Sequence, residues 1–341
     1  MTLPSDRRIR DIGRRISRAL VEHVGTGFGR PLIAAVSAGA DSSAMLLLLA
    51  DTQSRHGWRV RAAHVDHLIQ SEEIRRQFRE GAVTLSEQAG APLDIVEANA
   101  RAESERASSG IEAAARQVRY DALSRLAQDR GAPVVSVAHT EDDQAETVLL
   151  HILRGSGLDG LSGMPAQRPL TDEVQLVRPL LGVTRQETED VCRAYDWQPV
   201  PDPSNQHLEH IRNRIRHSLL PLMSEINPGV SERLAQLSRA VSSDRELLEL
   251  IGRETLTQLR DASGAIARRQ FLTLPGPLQT RVLRALCREH GLILSAERTA
   301  TALQVIHTGH GRVELPGGAH ISVAGGTISV GPPCPPPVSD C

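Results

Sequence analysis

Hydrophobic and polar positions change rhythm along this chain. From Pro31 to about Asp202, short apolar runs at 32–36, 60–65, 93–96 and 134–138 alternate with longer stretches of helical spacing at 42–55, 72–89 and 111–130. Short strands separated by helices of this length predict parallel pairing through crossover helices, hence an α/β fold with a doubly wound, mainly parallel sheet. Polar clusters sit just beyond three of the strands, at residues 37–42, at Asp66-His67 and at 139–143. Ligands of such sheets bind beyond the carboxyl ends of the strands. Before this region, Ile9, Ile12, Ile16 and Leu20 recur at helical spacing among arginines, which predicts an amphipathic helix over 6–24 rather than a signal peptide. Beyond Asp202 the alternation gives way to helices as far as about 259, broken near Asn227-Pro228-Gly229, with further helical patterns at 278–290 and 296–307. Glycine turns and strict alternation from Val313 to Val330 then predict a β-hairpin. The expected organisation is a first domain over 1–222, a smaller, mostly helical domain with a terminal hairpin over 223–330, and a proline-rich disordered tail over 331–341.

Composition narrows the function classes. All 39 basic residues are arginine, against 41 acids, for a net charge of −2. Genomic base bias is the bland explanation of the missing lysine. The balance gives no overall attraction to nucleic acid, so contact with a polyanion must come from local patches. Aromatics make up only 2%, too few for a base-stacking platform. Cys192, Cys287, Cys334 and Cys341 show no metal or redox spacing, and no apolar run reaches membrane length, which reads as a reduced, cytoplasmic protein with no membrane partner.

The candidate chemistry begins at Ser37-Ala38-Gly39-Ala40-Asp41-Ser42, between the first apolar run and a leucine-rich helix. A small-residue loop entering a helix presents bare N–H groups and the positive end of the helix dipole, an anion cradle. Without a lysine it is not a Walker loop. The competing reading is an ordinary turn in which Ser37 or Asp41 caps the helix. Asp41 within an anion cradle makes sense where Mg2+ bridges carboxylate and phosphate. A second cluster, His139-Thr140-Glu141-Asp142-Asp143-Gln144-Ala145-Glu146-Thr147, contains a capping box at Thr140 and Asp143. The box leaves Glu146 unexplained, since it shares a helix face with Asp143 and makes a paired-carboxylate wall that suits an ammonium or a metal. Glu112 and Arg116 have the spacing of a solvated i,i+4 pair, which is the favoured reading from spacing alone. Arg212, Arg214 and Arg216 form a dense basic stretch, at even odds an exposed helix face or an RNA backbone site.

Taken in order, these pieces resemble the tRNA(Ile)-lysidine synthetase family of the N-type ATP pyrophosphatase (PP-loop) superfamily. The matching residues are the 37–42 loop, Gly110-x-Glu112-x-x-Ala115-Arg116-x-x-Arg119-Tyr120, His139-x-x-Asp142-Asp143-Gln144-x-Glu146-Thr147, Arg154-Gly155-Ser156-Gly157-x-x-Gly160-Leu161-x-Gly163-Met164, Arg178-Pro179-Leu180-Leu181, Asp202-Pro203-Ser204-Asn205, Arg212-Asn213-x-x-Arg216 and Leu220-Pro221. The resemblance implies adenylation of the C2 oxygen of the wobble cytidine in a CAU-anticodon isoleucine tRNA, followed by displacement of AMP by the side-chain amine of free L-lysine. ATP and Mg2+ are then required. It implies that Ser37, Ala38, Gly39, Ala40, Asp41 and Ser42 bind ATP, Asp41 also placing Mg2+, and that Asp143 and Glu146 bind lysine. Arg116 becomes a catalytic phosphate or adenylate contact, which reverses the spacing reading. His139 becomes a base or nucleotide contact, and Arg212, Arg214 and Arg216 become tRNA contacts. Whether the chain forms a homodimer stays open. Ala38 stands where the family has glycine, and a positive φ there would cost about 1 kcal/mol. The runner-up enzyme is a related tRNA thiolase, disfavoured because the cysteines are not paired near the site. A non-catalytic ATP- or RNA-binding module is disfavoured by the retained acids.

Overall fold

A computed structural model describes residues 6–107, 110–201, 211–261, 264–315 and 318–331. Asp202-Pro203-Ser204-Asn205, His210 and the expected tail beyond 331 lie outside the described residues, as does the side chain of Glu112. The chain divides into two compact units, Met1–Ala240 and Val241–Cys341.

The first unit is built on strands β1 Pro31–Ala35, β2 Arg59–Asp66, β3 Leu93–Glu97, β4 Val134–Ser136, β5 Gln167–Pro169 and β6 Gln175–Val177. Their order is β3-β2-β1-β4-β6-β5, and every pair is parallel except β5 with β6. A parallel sheet needs cover on both faces. Alternation along β1 supplies it: Leu32 and Ala34 face a core shared with the helices Arg7–Val24 and Ala40–Asp51, while Ile33 faces a second core with Leu123 and Leu126 of the helix Ile111–Asp129. The helix Ala40–Asp51 follows β1 directly and is apolar on every side, Met45 to Leu49 having no exposed surface. It can be, because it also contacts the helices Arg7–Val24, Glu72–Ala89 and Arg185–Ala194. The N-terminal helix buries Ile9, Ile12, Ile16 and Leu20 as its spacing predicts.

Several elements differ from expectation. The helical pattern over 42–55 is two helices, Ala40–Asp51 and Gln53–His56. At Thr52 the side-chain hydroxyl donates back to the Leu48 carbonyl at 2.6 Å, a bond that competes with regular helix. Strands β5 and β6 and the helix Arg185–Ala194 escape the sequence reading, since three-residue strands carry too little periodicity to detect.

In the second unit the helices Gly276–Glu289 and Ala296–Thr308 share a core with Phe271, Ile321 and Ile328. The expected hairpin is the centre of a larger antiparallel sheet, β7 Ile266–Ala267, β8 Gly311–Glu314, β9 His320–Ala324 and β10 Thr327–Gly331, in the order β7-β10-β9-β8. Gly325 and Gly326 both take positive φ between β9 and β10, the requirement of a tight hairpin turn.

Candidate active site

Strands β1 and β4 are neighbours at the centre of the sheet, and the connections leaving them run to opposite sides, which opens a crevice at their carboxyl ends. The 37–42 loop lines one side of it. The N-cap of the helix Ala40–Asp51 is Gly39, with no side-chain cap hydrogen bond, so neither Ser37 nor Asp41 caps the helix. Ser42 instead folds the loop on itself: its hydroxyl accepts from the Ser37 N–H at 3.1 Å and donates to the Gly39 carbonyl at 3.1 Å. The first turn of this helix therefore carries no side-chain cap on its N–H groups.

Ala38 takes φ +60°, the left-handed region where the family's glycine is at ease. Its methyl is fully buried. The space for it comes from Gly81 on the helix Glu72–Ala89, where an added Cβ would stand 3.0 Å from the Ala38 Cβ and 2.6 Å from Val200 Cγ2. Val200 also donates its N–H to the Ala38 carbonyl at 3.0 Å. Strain at the loop is thus offset by local packing.

Asp41, in the first turn of its helix, accepts from the Thr188 hydroxyl at 2.5 Å and lies 3.6 Å from Arg185 Nε. Burial pushes its pKa above the ordinary carboxylate value, against the pull of Arg185 and the Thr188 hydrogen bond. Thr188 and Arg185 belong to the helix Arg185–Ala194 and were not singled out in the sequence. Their signal was there in Thr184-x-x-Glu187, a capping box that is closed in the structure.

The acidic segment opens the helix Glu141–Leu153. Asp142 caps the other helix, accepting from the Arg185 N–H at 2.7 Å. Asp143 caps its own, with Oδ2 accepting from the Thr140 N–H at 2.9 Å. Its Oδ1 faces three guanidiniums, Arg216 at 3.2 Å, Arg185 at 3.3 Å and Arg212 at 3.7 Å. Burial alone would raise the Asp143 pKa, but Arg185, the Thr140 hydrogen bond and Arg212 outweigh it and hold the carboxyl below its usual range. Glu146 is wholly buried, with Oε1 accepting from Arg216 Nε at 2.6 Å and Oε2 from Arg212 Nε at 2.9 Å. The cationic partners demanded by the carboxylates are thus arginines of this chain, so Arg212 and Arg216 are not free on an exposed face. Arg214 is exposed.

Arg216 is aimed by an irregular turn. Residues Ile215–Leu219 are π-helical, the Leu220 N–H closing onto the Ile215 carbonyl. Pro221 follows and has no N–H for the i−4 bond, so the wider turn relieves a defect that the Leu220-Pro221 pair builds in.

His139 sits just after β4, and its Nδ1 accepts from Arg178 Nε at 3.2 Å, which puts the proton of the neutral ring on Nε2. Burial, with Arg178, Arg119 and Arg116 nearby, pushes the His139 pKa well down despite Asp143. Such an imidazole is a hydrogen-bond donor more than a base. Arg116 is stacked over Tyr120, its guanidinium 5.4 Å from the ring centroid. Gln144 serves the structure, exchanging hydrogen bonds with the Met164 backbone at 2.8 and 3.1 Å. Gly163, at φ +61°, is needed there because a Cβ would meet Gln144 Nε2 at 2.7 Å.

The crevice therefore brings the 37–42 loop and a carboxylate cluster together, and comparison with known proteins gives the family of the chain. A PP-loop domain model matches residues 12–223, and a TilS substrate binding domain model matches 266–327. A tRNA(Ile)-lysidine synthase of Salinispora arenicola is 37% identical over 332 residues, covering 95% of this chain and 97% of that protein. One from Thermosynechococcus vestitus is 35% identical, covering 91% of this chain and 88% of that protein. The chain belongs to the tRNA(Ile)-lysidine synthase family. Among solved structures, a U34-tRNA thiolase of Methanococcus maripaludis with a [4Fe-4S] cluster shares the fold, with TM-score 0.56 at 17% identity over 69% of this chain and 80% of that one. In this member of the lysidine synthase family Cys192 is buried and free, and burial raises its pKa to about 12, so it is a packed thiol and not a reactive one. Among the described residues no cluster of three or more potential metal ligands occurs. No helix among them is long and apolar enough to cross a membrane.

Proposed function

We propose that this lysidine synthase attaches L-lysine to C2 of the wobble cytidine of a CAU-anticodon isoleucine tRNA at the crevice described above. One observation carries the assignment of roles: the Arg185 guanidinium lies within 3.8 Å of Asp41, Asp143 and Glu146 at once. The anion cradle and the carboxylate pair are separated by the reach of one side chain, which is what a reaction joining a phosphate-activated base to an amine needs.

In the first step the cytidine C2 oxygen attacks the α-phosphorus of ATP and pyrophosphate leaves. The 37–42 loop and the helix N-terminus hold the departing charge where it develops. Asp41 fits a Mg2+ site of the usual kind, one carboxylate completed by substrate phosphates; the ion would neutralise phosphate charge there. His139 donates from Nε2 to the nucleotide. In the second step the lysine amine, having lost its proton to one of the two carboxylates, attacks C2; the C2–O bond breaks and AMP leaves. Asp143 and Glu146 balance the lysine ammonium before attack. For that, Arg212 and Arg216 must give up the carboxylates, and tRNA phosphates are the natural new partners for them. Binding of tRNA then uncovers the amine site.

The test is partition of the two steps in Asp143→Asn. Asparagine keeps an acceptor for the Thr140 N–H but loses the charge. The expected result is pyrophosphate release at near wild-type rate with lysine transfer reduced at least tenfold. Equal loss of both steps would remove Asp143 from the lysine site.

A further inference from the structure

A second group of arginines stands beside this crevice, and among the described residues no acid pairs with it. Guanidinium carbons of Arg168, Arg116 and Arg119 lie 4.7, 5.4 and 5.5 Å from the centre of the Tyr120 ring. A fourth, Arg178, is nearly fully buried and faces the same tyrosine. Arg178 spends two donors on His139 and the Pro165 carbonyl, and Arg168 one on the Pro169 carbonyl. Among the described residues none of the four has a carboxylate at ion-pair distance. Three polar atoms at this place are buried and have no hydrogen-bond partner: Arg119 Nε, the Tyr120 hydroxyl and His67 Nδ1. Tyr120 itself is only 6% exposed.

Four like charges around one ring repel, and each buried polar atom without a partner is costly. Such a place in a native structure calls for an explanation, and a bound ligand supplies one. The arrangement lies beyond the carboxyl ends of β2 (His67), β4 (His139) and β6 (Arg178), with Arg168 on the edge strand β5 and Arg116 exposed at the start of its helix. The arrangement is thus exposed to solvent at Arg116 and meets His139 through Arg178. We propose that Arg116, Arg119, Arg168 and Arg178 around Tyr120 form a phosphodiester subsite that holds the tRNA backbone next to the wobble nucleotide. Planar guanidiniums suit phosphate oxygens, which they bind in pairs of hydrogen bonds. The charge present exceeds what one nucleotide phosphate needs, and the triphosphate of ATP has the 37–42 loop. Arg168 lies in none of the sequence motifs, and the subsite assigns it a positioning role. Lowering of the Arg178 pKa to about 10 and of the His67 pKa to about 4, in both cases by burial first, agrees with a positive pocket short of counter-charge.

The inference rests on tRNA being the substrate, so its test reads binding apart from catalysis. Filter retention of a CAU-anticodon tRNA transcript is measured across a salt series for the wild type, Arg168→Ala and Tyr120→Phe, alongside ATP KM and thermal melting. Both variants are expected to bind tRNA about fivefold to tenfold more weakly, and Arg168→Ala to lower the log–log salt slope by about one phosphate, with ATP KM unchanged. Tyr120→Phe, which removes a buried hydroxyl set among guanidiniums and without an acceptor for its proton, should melt close to the wild type. Unchanged tRNA affinity in both variants, or a raised ATP KM with tRNA affinity intact, would overturn the subsite, the latter assigning the pocket to the nucleotide. A wild-type protein that fails to retain tRNA would instead sink the reading on which it rests.

Discussion

Two residues at the loop set opposing demands on stability and function. Ala38 carries a methyl at φ +60°, but the methyl is buried over Gly81. Relief of strain in Ala38→Gly is worth about 1 kcal/mol, and it is countered by the lost methyl and by the freer unfolded chain, each of similar size. The melting temperature of Ala38→Gly should stay within the equivalent of about 1 kcal/mol of wild type, whereas Ala38→Val, branched at Cβ in a closed space, should lose more than roughly 2 kcal/mol. Large stabilisation by glycine would mean that the strain is not offset. Asp41 has a pKa raised by burial, so the folded state disfavours its ionised form. The stability it allows is complete below its unfolded pKa and is lost as pH rises through the folded one. Asp41→Asn, which can still accept from Thr188, should therefore melt higher than wild type at pH 7 and lose that advantage on acidification to pH 3, while adenylation fails. A variant that melts lower at pH 7 would contradict this account of Asp41.

At the scale of elements, the carriers of the site were unequally legible. The loop after β1 and the acidic helix start could be read because their chemistry is local: small residues before an apolar helix, and a capping box followed by a second acid three positions on. Arg185 and Thr188 could not be placed, because what brings them to Asp41 is a tertiary contact of a helix whose only local mark is Thr184-x-x-Glu187. The same holds for Arg212 and Arg216. Their spacing fits an exposed face, and only the π-turn at Ile215–Leu219 turns Arg216 onto Glu146. Pro221→Ala restores the missing N–H and lets the turn relax to α-helix. It should leave the fold at least as stable and change the lysine KM more than the ATP KM; equal changes would show that the turn does not aim Arg216. On the helix Glu72–Ala89, Gly81→Ala tests the packing under the loop. A helix interior ordinarily gains about 1 kcal/mol from that change, but here the new Cβ meets Val200 and Ala38, so a loss is expected in thermal melting.

Over the whole molecule, a net charge of −2 hides a strongly polar distribution. Three carboxylates and three guanidiniums neutralise one another at the crevice, and four arginines beside it have no carboxylate at ion-pair distance among the described residues. An acidic chain is thereby given a basic mouth, which composition could not reveal because charge balance says nothing of placement. Affinity for tRNA should fall steeply with salt despite the overall charge. The absence of lysine from all 341 residues also means that no side-chain ammonium of this chain can pair with Asp143 and Glu146. The most direct test of the account is transfer of labelled L-lysine to tRNA by the purified protein with ATP and Mg2+. Label should appear in the CAU-anticodon isoleucine transcript, one per tRNA, with AMP and pyrophosphate formed in equal amounts; no label in that transcript, or equal label in methionine tRNA, would contradict it.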